Sequence, residues 1–286
     1  VTSIDLIGDE YEVGNLEEAI LGALRSSGRD LGALRVEDLA PVDHFHMGGF
    51  EATLELLGLA NPAPGAEVLD VGGGLGGAAR TLANRIGARV MVLDATAEYC
   101  RVGERLTDLV GLRERVAFRH GDACEMPFAN DSFDLVWLQH ATMNIPDKPA
   151  LFREAHRVLR PDGRLAMHEV MAGENAPIHF PVPWAGKPPL SHLSTQPDAR
   201  ALIASAGLVE ETWRDVSAPS LEWWRQRVAT VAHQAPSPLG LHLLMGAETP
   251  VKARNMIRNL EERRIAVVQA LWLKPRTPGG RGDPVG

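Results

Sequence analysis

Asp70 sits inside a short apolar run, Val68-Leu69-Asp70-Val71, and glycines crowd the positions immediately after it. Gly72, Gly74 and Gly77 fit the spacing G-x-G-x-x-G, a pattern that is weak alone but is read here as a strand-to-helix turn. Such a turn takes positive φ, lets a ligand approach the main chain, and points unpaired helix N–H groups at it. A carboxylate at that strand end would repel a dinucleotide pyrophosphate and welcome a cationic amine. Asp94 closes a second apolar run, Val90-Met91-Val92-Leu93, where a carboxylate can accept both hydrogens of a ribose diol. The competing reading of Asp94 is a helix N-cap, and the two roles are compatible. Gly121-Asp122-Ala123 follows a third run. Together these positions describe a cleft ringed by acids, suited to a positively charged adenosine derivative without phosphate.

At this point the chain resembles the class I S-adenosylmethionine (SAM)-dependent methyltransferases, whose first motif looks like Val68-Leu69-Asp70-Val71-Gly72 and the glycines after it. The similarity extends through Gly121-Asp122-Ala123 with Met126-Pro127-Phe128, and through Arg157-Val158-Leu159-Arg160-Pro161-Asp162-Gly163, about a third of the chain. A finer resemblance is to the sarcosine/dimethylglycine and ubiquinone/menaquinone-type methyltransferases. What the resemblance implies is SAM as cofactor, S-adenosylhomocysteine (SAH) as product, and a small-molecule acceptor. It also implies cofactor contacts at Asp70, Gly72, Gly74, Asp94, Ala95, Asp122, Ala123 and Gln139, with Asp122 at the adenine amino group and the next main-chain N–H at a ring nitrogen.

The acceptor side has three candidates for proton transfer. Relatives of this type often place a His just ahead of a Pro-Asp pair, but here Asn144 precedes Ile145-Pro146-Asp147. His140 lies one turn earlier and could substitute if the segment is helical. Glu169, beside His168, matches a position that is a catalytic acid in some relatives, and His46 could reach in from the amino-terminal side. For each histidine a hydrogen-bonded structural role is at least as good a reading. Trp184, Trp223 and Trp224 could wall an apolar or cationic acceptor, although core packing accounts for them as well. His44 and His46 are the best metal-spaced pair and give only a weak case, so no metal is expected. No G-x-S-x-G elbow is present.

The elements that must hold these residues alternate. Strands are expected over 67–71, 89–94, 116–120, 133–138, 165–169, 208–215 and 265–273. Helices are expected over 78–86, 97–110, 148–159 and 197–206. This is an α/β fold, a doubly wound, mainly parallel seven-stranded sheet of Rossmann-like methyltransferase type, with a helical lid. Residues 1–64 form a helical cover, including one helix over 15–39 opened by an Asn15/Glu18 capping box and a second over 50–57, with Pro41 as a breaker between them. Residues 65–275 form the SAM-binding domain, with lid insertions at 172–196 and 217–264, and 276–286 read as a disordered tail.

The 286 residues, 45% apolar, are ample for one such domain with embellishments. A net charge of −8, with no dense Lys/Arg run, argues against nucleic acid as acceptor. No apolar run approaches membrane-spanning length, and the acidic start with Asp5, Asp9 and Glu10 is unlike a signal peptide, so a cytoplasmic location is expected. Cys100 and Cys124 read as reduced thiols, and a homodimer is compatible with the sequence. The rival readings are an NAD(P)-dependent oxidoreductase, which Asp70 opposes, and a non-catalytic SAM-binding module, which Asn144 keeps open.

Overall fold

In the computed structural model, which describes residues 11–233 and 237–276, the strand–turn–helix units assemble into one seven-stranded sheet. The strands are β1 (Glu67–Val71), β2 (Arg89–Asp94), β3 (Val116–His120), β4 (Phe133–Gln139), β5 (Leu159–Ala172), β6 (Val209–Asp215) and β7 (Ile265–Leu273). Their order is β3-β2-β1-β4-β5-β7-β6, and β7 alone runs antiparallel to its neighbours. The order reverses between β1 and β4, so the crevice of an open α/β sheet opens at their carboxyl ends.

Residue alternation divides the core. Leu69, Val71, Val136 and Leu138 face a cluster with Leu151, Phe152 and Ile203, whereas Val68, Leu135 and Trp137 face one with Ala79, Leu82 and Leu56. Helices α4 (Gly77–Ile86), α5 (Ala97–Leu109), α6 (Lys148–Val158) and α7 (Gln196–Ser205) cover the two faces. β5 begins earlier than the sequence pattern suggests, because Leu159 pairs with Phe133 before the Pro161-Asp162-Gly163 corner and Arg164 resumes the ladder.

The amino-terminal region departs from expectation. Instead of one helix over 15–39 there are two, α1 (Leu16–Ser26) and α2 (Val36–Asp43), followed by α3 (Gly49–Ala60). Gly28, at φ +74°, ends α1 while the Arg29 amide bonds back to Leu24 O. Pro41 does not break the chain but lies inside α2, near its end, in a helix only 8 residues long. Asn15 makes no side-chain cap; the carboxylate of Glu98, on α5, accepts the amides of Val13, Gly14 and Leu16 instead. A distant acid therefore anchors the cover where a local one was expected.

The segment after β6 folds as α8 (Ser217–His233), α9 (His242–Met245) and α10 (Thr249–Glu261). Trp184, Trp224, Met256 and Met47 pack together with Val267 and Ile265, joining the 172–196 segment, these helices and the amino-terminal cover above the sheet. No helix among the described residues is long and apolar enough to cross a membrane. The tail expected to be disordered falls, apart from Arg276, outside the described residues.

Candidate functional site

A cavity of about 360 Å³ opens at the switch point, lined by Asp70, Gly72, Gly73, Gly74, Asp94, Ala95, Asp122 and Ala123 among others. Seven of the eight expected cofactor contacts thus meet in one place. The eighth, Gln139, does not line it. Its Oε1 accepts hydrogen bonds from Trp137 Nε1 (3.0 Å) and Thr53 Oγ1 (3.2 Å), and its Nε2 lies 3.3 Å from nitrogens of His46 and His168.

The glycine turn is shaped by its neighbours. A Cβ at Gly73 would stand 2.6 Å from Asp70 Oδ2, so the main chain passes over that carboxylate only because the residue is glycine. A Cβ at Gly77 would strike the Asp43 carbonyl at 2.5 Å, where the end of α2 is pressed against the turn. Arg80, one turn into α4, locks that approach. It pairs with Asp43 at 2.6 Å, both side chains being essentially sealed from solvent, and also donates to Leu75 O, Gly103 O and Thr107 Oγ1. Such an arginine is satisfied at every face, as a buried charge must be. Sequence reasoning missed this pair; the signal available was a lone Arg within the apolar face of Ala79, Leu82 and Ala83.

The two aspartates at the strand ends differ in their engagement. Asp94 accepts the amides of Gly74 and Thr96, each at 2.8 Å, so it braces the turn and the start of the next helix while still facing the cavity. Asp70 is buried and its Oδ2 has no hydrogen-bond partner among the described residues. Burial, reinforced by the charge of Asp94, pushes its carboxyl up to about 7, against the pull of the Ala79 amide and Arg80. Asp122 accepts the Cys124 amide at 2.7 Å.

A smaller apolar chamber of about 40 Å³ adjoins the first and shares Tyr11, Phe45, His46 and His140 with it. His140 stands at the junction in a left-handed conformation (φ +56°), directly after β4, so it is not on a helix as its proposed role supposed. Its ring centroid is 4.9 Å from His168 and 5.8 Å from His46. Burial, then the neighbouring imidazoles, holds His140 well below the ordinary histidine range, and burial pushes His46 down to about 4. These rings are therefore neutral at pH 7 and weaker bases than an exposed histidine.

Glu169 lines neither cavity. Its Oε1 accepts the Ala141 amide at 3.0 Å and its Oε2 accepts the Thr142 amide and hydroxyl at 3.2 and 2.8 Å. Lys148 completes the support by donating its ammonium to the carbonyls of Thr142, Ile145 and His192, which uses all three of its hydrogens. This acid and this lysine fix the 142–144 turn at the cavity wall. Asn144, on that turn, accepts from Tyr11 Oη at 2.8 Å and donates to Trp184 O at 2.8 Å and Leu190 O at 3.3 Å. Asn144, standing where the resembled family often carries a His, is thus a tie between the cover segments and the cavity rim.

With this geometry in hand, the chain can be set beside known proteins. Residues 69–167 match a family described as a methyltransferase domain. Methyltransferase GfsG of Streptomyces halstedii is 33% identical over 165 residues, 58% of this chain and 58% of that protein, so the chain spans little more than half of that relative. Among solved structures, phosphoethanolamine N-methyltransferase 2 of Haemonchus contortus, in complex with S-adenosyl-L-methionine, superposes over 96% of this chain and 60% of its own with a TM-score of 0.72 at 18% identity. The [4+2]-cyclase SpnF superposes over 94% and 97% with a TM-score of 0.66 at 20% identity. At those identities the structural likeness speaks of fold.

Proposed function

Taking the methyltransferase domain at residues 69–167 as the premise, we propose that this chain binds SAM in the larger cavity and transfers its methyl group to a small-molecule acceptor by in-line displacement. The observation that carries the reading is Asp70. A fully buried carboxylate with a bare oxygen, beneath a turn only glycine can make, calls for a cationic partner. No lysine or arginine lines either cavity among the described residues, so a pyrophosphate would meet Asp70 and Asp94 without compensation. That composition favours SAM over NAD.

In this reading Asp70 holds the cationic end, Asp94 and Ala95 the ribose, and Asp122 and Ala123 the adenine. SAM brings a methyl group already activated by its sulfonium, so the chain's own work is to align, exclude water and receive a proton. His140 and His46 place neutral imidazole nitrogens at the junction of the chambers. Glu169 acts at one remove, by holding the wall behind them. A net charge of −8 and the small size of the chambers support a small molecule over nucleic acid as acceptor.

Because the same fold carries a [4+2]-cyclase, the decisive test reads binding and product together. Equilibrium dialysis should give micromolar SAH binding and none for NAD(H), and methyl-labelled SAM with a metabolite extract should yield a labelled small molecule. NAD binding without SAH binding would overturn the cofactor assignment. SAH binding with no labelled product would leave a binding module.

A further inference from the structure

Five buried side-chain polar atoms have no hydrogen-bond partner among the described residues: Asp70 Oδ2, Tyr99 Oη, His140 Nε2, Trp224 Nε1 and Trp272 Nε1. Native interiors leave few such groups, and each one asks for an explanation. Trp272 belongs to the core beside β5. The other four belong to residues that line the two cavities. Asp70 and Tyr99 lie on the cofactor side, whereas Trp224 belongs to the smaller chamber and His140 to the junction. The acceptor side thus offers one indole N–H, which can only donate, and one imidazole nitrogen on a ring that is neutral at pH 7.

The remaining wall of the smaller chamber is soft and apolar: Met47, Met143, Met256, Pro183, Trp184 and Leu241. It carries no Lys, Arg, Asp or Glu among the described residues. A phosphate or carboxylate on the acceptor would enter without a cation, and an ammonium would meet only the aromatic faces of Phe45, Trp184 and Trp224 and no carboxylate; burial of a charge without a counter-ion is penalised. The room of about 40 Å³ holds the equivalent of roughly three waters, so only the reacting end of an acceptor fits there.

We propose that the acceptor presents a neutral hydroxyl on an apolar end to this chamber, that His140 Nε2 takes the hydroxyl proton, and that Trp224 Nε1 donates to an oxygen of the same molecule, so that transfer is to oxygen. The inference rests on the SAM reading above. In the balanced step an oxygen lone pair forms the new O–C bond, the C–S electron pair remains on sulfur, and the hydroxyl proton passes to His140. One positive charge leaves sulfur and one appears on imidazole, so the net charge of the site does not change. This chamber is therefore matched to a different acceptor from the phosphorylated one in the name of the Haemonchus contortus neighbour.

The test uses the full chain saturated with SAH and three probes: 4-ethylphenol, 4-ethylphenyl phosphate and 4-ethylbenzylamine. Saturation-transfer NMR titrations should show 4-ethylphenol binding at least 10-fold more tightly than the phosphate ester or the amine. Trp224→Phe should weaken the phenol several-fold while leaving SAH affinity unchanged. With labelled SAM, any methylated phenol should be the methyl ether, formed more slowly by His140→Gln at unchanged SAH affinity. Equal or tighter binding of the charged probes, no binding of the phenol, or a methylated carbon overturns the inference. Failure to bind SAH in the first place is a different result, and it overturns the cofactor reading instead.

Discussion

Asp70 on β1 and Glu169 on β5 look alike by most measures. Both are acids on parallel strands of the same sheet, both are buried at 2% and 0% exposure, and burial pushes both carboxyls up to about 7. Their surroundings separate them. Every oxygen of Glu169 is held by donors from Ala141 and Thr142, with the Lys148 charge nearby, whereas Asp70 Oδ2 has no hydrogen-bond partner among the described residues. The first arrangement is complete as it stands and fixes a wall. The second is completed only by a ligand. An elevated carboxyl therefore marks burial, and the hydrogen-bond inventory decides whether that burial serves the fold or a guest.

The comparison is broken most forcefully on the ligand side. Asp94→Ala removes the acceptor for two backbone amides and the proposed ribose contact together, and SAH affinity by calorimetry should fall at least about 100-fold. Retained affinity would detach the acidic edge from cofactor binding.

The sharper test compares two identical substitutions, acid to amide. Asp70→Asn should weaken SAH by roughly 10- to 50-fold yet stabilise the ligand-free protein by about 2 to 4 kcal/mol at pH 8. The sign follows from the folded value of about 7 against 3.8 for an ordinary aspartate. The unfavourable ionisation is absent in acid and builds as pH rises toward 7. Urea titrations of the wild type should accordingly show this contribution to stability lost between pH 4 and 7, and the Asn variant should lack that slope. Glu169→Gln sheds a similar ionisation cost, but either amide orientation turns an NH₂ toward a backbone N–H it cannot satisfy, so its gain at pH 8 should be smaller than that of Asp70→Asn. Its SAH affinity should stay within about 2-fold. A stability gain for Glu169→Gln as large as that for Asp70→Asn would erase the distinction.

The smallest effect is expected at Asn144. Its replacement by Ala cuts the ties to Tyr11, Trp184 and Leu190, and about a 3-fold loss in SAH affinity with a modest drop in Tm should follow. A complete loss of methyl transfer at unchanged affinity would instead place Asn144 among the reacting groups.

How much of this was readable before the structure follows the same division. The acidic edge of the larger cavity is built from local units, strand then turn then helix, so Asp70, Gly72, Gly74 and Asp94 were legible from their local pattern and Asp122 from the family resemblance. The cover is built from tertiary contacts that leave no local period. Glu98 replaces Asn15 as the anchor of the first helix, Arg80 reaches Asp43 across 37 residues, and Pro41 sits inside a helix because packing outweighs one lost amide. Glu169 was visible as an acid near the acceptor side, but its role depends on which amides its oxygens meet. Gln139 was visible at the end of β4, yet its amide is spent on Thr53, Trp137 and the histidines.

One measurement reaches the centre of the account: calorimetric titration of SAH into the full chain near pH 6.5, in two buffers of different ionisation enthalpy. A cationic ligand end that seats on Asp70 must expel its proton, so micromolar binding should release about half a proton or more, and Asp70→Asn should abolish the release. Tight binding with no proton release, or release that persists in the Asn variant, would contradict the assignment of that carboxylate to the ligand.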